Sequence, residues 1–173
     1  GDTVGYKRNA NNDGWVSVKD SKSFLFNVGN CPTHGKNNSQ LQSARYIDST
    51  SNLIAAHDAA TVHLGAPWRM PTDAEFSALI SNCMSTWTTL NGVKGRLVKG
   101  KGAYSSKSIF LPAAAYGVDS YHYDLGSNGS YWSSTPNSDN SGCAGTLFFG
   151  SGEFALYDNC GRFGGQSVRP VLE

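Results

Sequence analysis

Charge is scarce in this 173-residue chain: Asp, Glu, Lys and Arg make up 16% of it, and the formal net charge is +1. With 39% hydrophobic and 12% aromatic residues, that balance excludes a disordered polyelectrolyte, which pairs low hydrophobicity with high net charge. Long apolar runs are missing too. The longest mostly apolar stretch, Ile109 to Val118, is interrupted by Pro112 and Gly117. It falls far short of the ~20 residues that a membrane-spanning helix requires, so no direct membrane span is expected. Lysine is absent from Ser108 onward, where Arg162 and Arg169 face six acidic residues for a local charge of −4, against +5 in the first 107 residues. The positive charges of that first part are scattered rather than gathered into a stripe, which excludes the electrostatic footprint of a nucleic-acid binder. The chain opens Gly1-Asp2-Thr3 without initiator Met or charged-then-apolar leader, so any secretion signal is expected to have been removed or to lie outside the given sequence.

Cysteine is sparse as well. Cys31, Cys83, Cys143 and Cys160 are too few and too widely spaced for a disulfide scaffold, and full bridging would leave three pairings open. Cys31-Pro32-Thr33-His34 resembles half of a zinc site, but no second Cys-x-x-Cys or His-x3-His pair completes four ligands, so no metal is expected. Catalytic signatures are equally thin. Ser133-Ser134 lacks the glycines of a nucleophile elbow, His57 and His63 are six apart and do not share a helix face, and His122 reads as a loop residue. Neither an enzyme nor a cofactor is expected.

What is present is one chain-length domain's worth of residues for a substantial core, patterned as α+β. Trp15 to Val18 alternates apolar and polar, and Phe24 to Val28 reads as a more buried strand. Residues 31 to 51 are polar and loop-like. Asp58 is placed to cap a short helix through Ala59, Ala60, Val62 and Leu64, closed by Gly65. Thr72 and Glu75 form a capping box for a second helix, with Phe76, Leu79 and Ile80 on one face. Asn91-Gly92 marks a turn, the chain then alternates from Lys94 to Lys101, and Ile109-Phe110-Leu111 reads as a buried strand. Short strands follow at Tyr131-Trp132, Thr146 to Phe149, Glu153 to Tyr157 and Ser167 to Leu172. Trp68, Phe76, Leu79, Ile80, Phe110, Leu111, Trp132 and Val168 are the expected core. Arg69 and Arg169 are expected to hold turns or pair with Asp73 or Glu75.

Four ordered motifs carry a family resemblance. Trp68-Arg69-Met70-Pro71-Thr72-Asp73-Ala74-Glu75-Phe76 resembles the W-R-[LM]-P-T-x-A-E-[WF] signature of the bacterial major paralogous domain (FISUMP) family. Ile109-Phe110-Leu111-Pro112-Ala113-Ala114, Gly129-Ser130-Tyr131-Trp132-Ser133-Ser134 and Gly165-Gln166-Ser167-Val168-Arg169-Pro170-Val171 follow in the family's order. The match covers roughly residues 57 to 172; residues 1–50 match little. The resemblance implies a C-type-lectin-like fold, with two helices packed on short antiparallel strands, as a single domain over residues 1–173. It also brings in the formylglycine-generating enzymes, whose reactive cysteine pair Cys143 and Cys160 would have to supply. Their flanking residues do not match the enzyme motifs, and no neighbouring Lys or His lowers a thiol pKa. A calcium-type lectin would require Glu-Pro-Asn or Gln-Pro-Asp and a Trp-Asn-Asp strand to ligate the ion. None of the three tripeptides occurs.

The segment Ser138 to Gly165 stands apart in composition. Every residue in it except Glu153 can be encoded by a codon ending in C. Lys, Glu, Gln, Met and Trp, which such codons cannot encode, occur seventeen times in residues 1–137 and once in this segment. In this respect the chain resembles the variable proteins of diversity-generating retroelements, whose Asn codons are mutagenised on a C-type-lectin scaffold. The implied ligand-binding residues are Gly142, Cys143, Gly145, Thr146, Phe148, Gly150, Phe154, Leu156, Tyr157, Asp158, Cys160, Gly161, Phe163 and Gly164. Exposed Phe148, Phe154, Leu156, Tyr157 and Phe163 among small and polar neighbours would offer aromatic anchors in adaptable surroundings, as antibody paratopes do. The plainer alternative is ordinary strand and turn chemistry in an invariant surface domain with a structural or carbohydrate-binding role. On the diversified reading Cys143 and Cys160 are accidents of diversification rather than a designed bridge, with a chance disulfide between them left open if the sheet brings them within reach, and Cys31 with Cys83 is the expected structural pair. The expected partner is a protein or cell-surface ligand, met outside the cell, on its surface or on a phage or virus particle.

Overall fold

A computed structural model describes residues 6–8, 15–17, 28–118 and 121–173. The strand expected at Phe24 to Val28 lies outside the described residues except for Val28, which is exposed in a turn. Two short strands, β1 (Tyr6–Arg8) and β2 (Trp15–Ser17), pair antiparallel.

The first helix of the described residues corrects the loop expected for 31–51: α1 covers Asn38–Ser43. Its sequence, NSQLQS, has a single apolar residue, so no periodicity announces it. It is held by its start and its one buried contact. Asn37 and Gln40 form a reciprocal capping box, and Leu41 is buried.

α2 (Ala59–Leu64) and α3 (Asp73–Asn82) fall where their caps place them. The buried Asp58 carboxylate accepts from Thr61 N at 2.9 Å and from Met70 N at 2.8 Å, so the cap of α2 also ties down the chain beyond β3 (Trp68–Arg69). Gly65, at φ +77°, ends α2 in a conformation that a side chain would strain. At α3, Thr72 and Glu75 cap reciprocally, and Arg69 clamps Glu75 through two 2.7 Å bonds, as the Arg69 pairing anticipated. Those bonds from Arg69 hold the Glu75 carboxyl at about 2. Trp68 departs from expectation: it is 37% exposed rather than core, because the two-residue β3 lies at the margin and, among the described residues, pairs only with β12 (Val171–Leu172). Of the strand expected from Ser167 to Leu172, β12 alone forms; Ser167 makes an isolated bridge to Tyr131.

Two antiparallel sheets enclose the core. In one, β4 (Cys83–Leu90) and β5 (Val93–Gly100) form a two-residue hairpin whose turn, Asn91-Gly92, has φ of +50° and +80°. Both central residues are therefore left-handed, as a type I′ turn requires. β6 (Ser108–Pro112) pairs with β5 after a 3-10 turn at Gly102–Tyr104. β7 (Tyr116–Val118) and β8 (Tyr121–Tyr123) make a short hairpin, which places His122 in a strand rather than in the expected loop. The other large sheet has β10 (Cys143–Phe149) between β9 (Gly129–Pro136) and β11 (Phe154–Gly161). Phe76 from α3, Val98, Leu111, Ala113, Tyr131, Leu147 and Phe149 form the buried cluster, with Leu79 and Ile80 packed against it. The result is α+β with few helices and several antiparallel sheets.

Candidate functional site

The sheet β9-β10-β11 contains most of the residues expected to bind ligand, and it divides them sharply. On β10, the middle strand, alternation sends Leu147 and Phe149 into the core, where they meet Leu156 and Phe154 across β11. The opposite face of β10 is also largely covered. Thr146 is fully buried there, with its hydroxyl oxygen unpartnered, opposite Trp132, whose Nε1 donates to the Gly164 carbonyl at 3.2 Å. Phe148 is half-buried and its ring lies 5.7 Å from that of Tyr157.

Several expected contact residues are scaffold. Cys143, Gly142, Gly145 and Gly150 are buried. A side chain at Gly145 would collide with the Asp73 carboxylate, which is raised in pKa by burial and accepts from Ser133 Oγ. A Cβ at Gly142 would come within 2.6 Å of His34, and one at Gly150 within 2.6 Å of Asn128. The Gly150 carbonyl is also the anchor of Arg96, which sits on the inner side of β5. Its guanidinium donates to the carbonyls of Gly150, Ser151 and Glu153 and stacks over Phe154 at 5.7 Å. No motif singled out Arg96, since a lone Arg in an alternating strand looks like a surface residue.

The expectation that Phe148, Phe154, Leu156 and Phe163 stand exposed is corrected: all four are half-buried. Phe154 and Leu156 pack against the core cluster, and Phe163 meets His34 edge-on at 5.4 Å. Gly161, whose Cβ would lie 2.5 Å from the Phe163 ring, Gly164 and Cys160 are half-buried as well. What remains open is the middle of β11. Tyr157 is 38% exposed, and Asp158 and Asn159 are exposed beside it. The Tyr157 hydroxyl donates to the Glu153 carboxylate, which pushes the phenol pKa up. At the bulge beside Gly145, Asn137 Nδ2 donates to the Asp158 carbonyl at 2.7 Å and holds this stretch in place.

All four cysteines are free thiols, which corrects the pairing expected for Cys31 and Cys83. Cys83 begins β4 against the core, whereas Cys31 stands beside Thr33, 3.5 Å from its hydroxyl. Cys143 lies opposite Gly161 and Ala144 opposite Cys160, so alternation directs the two thiols of this sheet to opposite faces. Burial, and then the nearby Cys160, pushes the Cys143 thiol up. Among the described residues no group of three or more His, Cys, Asp or Glu could hold a metal ion, and no helix is long and apolar enough to cross a membrane. Comparison with protein-family models, with curated proteins and with solved structures finds no match to this chain.

Proposed function

We propose that this chain is a ligand-binding domain of C-type-lectin-like type, displayed at a cell surface or on a phage or virus particle, whose recognition surface is the outer edge of the β9-β10-β11 sheet. The observation that carries this reading is the exposed run Tyr157-Asp158-Asn159, seated against a β10 strand whose core-facing residues are fully buried. A firm strand beneath an exposed aromatic and two short polar side chains suits recognition, because little ordering entropy is lost on binding. Phe148 flanks Tyr157 and adds apolar area to the same patch.

The codon-like composition of residues 138–165 supports diversification of this surface. Its buried members, Gly145, Thr146 and Gly150, mark positions where new side chains would disturb the scaffold. The reading therefore narrows the contact set to Phe148, Tyr157, Asp158 and Asn159. Sequencing the 3′ end of the gene across its natural population, and searching the flanking DNA for a near-identical repeat, tests it. Variation at adenine-derived positions concentrated at codons 148 and 157–159 is the expected result. An invariant segment with no repeat beside it overturns diversification, and variation spread equally over the buried glycines overturns the contact set.

A further inference from the structure

β4 is an unguarded sheet edge. Its eight residues, CMSTWTTL, include no charged residue and no proline, and each pairs in unbroken register with β5, so no bulge turns the edge away. Natural sheets blunt long edges with those devices, because a bare row of backbone donors and acceptors captures other strands. The cations of this sheet, Lys94, Arg96 and Lys99, all stand on the middle strand β5, and β6 at the far edge ends in Pro112. β11, an edge of the other large sheet, carries Asp158 and Asn159 in the open. Among the described residues β4 pairs with β5 alone.

The hairpin geometry fixes which backbone groups are bare. In a two-residue hairpin the residues flanking the turn, here Leu90 and Val93, form a hydrogen-bonded pair, and such pairs alternate along the ladder. Leu90, Thr88, Thr86 and Met84 therefore turn their backbone N–H and C=O toward β5, whereas Thr89, Trp87 and Ser85 turn theirs to the open side. About Trp87 the strand is a chemical palindrome. Thr86 and Thr88 flank it, then the hydroxyl residues Ser85 and Thr89, then the apolar Met84 and Leu90, which are 54% and 47% exposed.

We infer that β4 pairs antiparallel with β4 of a second copy of this chain, on a two-fold axis at Trp87, joining two three-stranded sheets into one of six strands. An isologous interface must be self-complementary, and a palindromic strand meets that demand. This register sets Trp87 opposite its own copy and Ser85 opposite Thr89, so the bare backbone groups face one another. It also brings Met84 onto Leu90 and Thr86 onto Thr88. Apolar and Thr–Thr pairs across strands are favourable, and with no charge on β4 no like charges meet. The inference is independent of the recognition surface, which lies on the other large sheet.

Sedimentation velocity of the full chain at rising concentration, with amide hydrogen exchange followed by NMR, tests the pairing. An edge contact confined to Met84–Leu90 of each copy is smaller than a standard interface, so a monomer–dimer equilibrium with a dissociation constant of roughly 10 to 300 μM is expected. Exchange at Ser85, Trp87 and Thr89 should then slow about two- to fourfold between about 50 μM and 1 mM, while Asp158 and Asn159 stay unchanged. Thr86→Lys combined with Thr88→Lys sets like charges opposite each other and should weaken association at least about tenfold. Thr86→Lys combined with Thr88→Glu sets opposite charges there and should associate within about threefold of wild type. Registers shifted by two residues would instead set a substituted side chain against its own copy. Circular dichroism checks that each variant is folded. A chain monomeric at about 500 μM, a dimer protected away from these three amides, or equal association by wild type and a folded Lys–Lys variant would overturn the inference. So would equal loss in both double variants, or three amides protected alike at every concentration, since another part of the chain would then cover the edge. If a variant fails to fold, wild-type sedimentation and exchange decide the matter.

Discussion

β10 and β11 are neighbours drawn from the same compositionally odd segment, yet they do opposite work. β10 is covered on both faces: Leu147 and Phe149 fill the core, Thr146 is sealed on the far side, and Gly145 leaves room for the Asp73 carboxylate. β11, at the sheet edge, buries its first residues against the core and then turns Tyr157, Asp158 and Asn159 to solvent. Similar composition thus yields a scaffold strand and a display strand. The difference comes from neighbours: among the described residues β10 has a strand on each side, while β11 has a strand on one side only, and α3 packs against both.

The contrast breaks most visibly in the core. Phe149→Ala, which removes a fully buried ring stacked on Tyr131 at 5.7 Å, should cost about 3 to 5 kcal/mol in a denaturant titration. A loss below about 1 kcal/mol would mean that β10 is not the packed strand described. Gly145→Ala should come next, at about 2 kcal/mol, because the new methyl group displaces the Asp73 carboxylate from Ser133. Gly152→Ala, which meets open space, serves as its control and should be near neutral.

Asp73 sharpens the comparison through pH. Burial raises its folded pKa above the ordinary 3.8, so below that value its protonation has no cost, and native stability falls as pH rises through the raised value. Thermal melts from pH 3 to pH 7 should therefore show Asp73→Asn gaining on the wild type as pH rises. A gain in the opposite direction would show that Ser133 and the α3 N-terminus outweigh the burial. Glu75 has the reverse sign: with its folded pKa at about 2, its contribution is present above the ordinary 4.5 and is lost as pH falls toward 2. Its ion pair is partly exposed, with side-chain accessibilities of 30% and 41%, so Glu75→Gln should cost only about 1 kcal/mol at pH 7. The smallest effects belong to the display strand. Asp158→Ala and Asn159→Ala should each stay within about 0.5 kcal/mol of wild type; a loss above about 2 kcal/mol would reassign that stretch to the scaffold.

Local chemistry was legible where one or two residues decide it. Asp58 with Gly65 and Thr72 with Glu75 delimit α2 and α3, and Asn91-Gly92 makes the hairpin, because caps and turns depend on donors and dihedrals a few residues away. α1 escaped because its six residues include a single apolar one, and its capping box involves Asn and Gln rather than the usual Thr and Glu. Trp68 escaped for a different reason. Its hydrophobicity says nothing of its lying on a two-residue marginal strand.

The binding residues were legible only as a segment. Composition sets 138–165 apart, but an exposed Phe and a half-buried Phe have the same codon and the same propensity. By itself the sequence determined the caps, the Asn91-Gly92 turn, the alternation of the strand after it and the α+β class, all of which rest on short-range rules; the partner strand β4 was not legible. The tertiary structure alone decided that Gly145 belongs to Asp73, that Tyr157 to Asn159 face solvent, and that β4, among the described residues, pairs on one side only. Burial and charge compensation are properties of whatever the folded chain brings alongside, and no local pattern carries them.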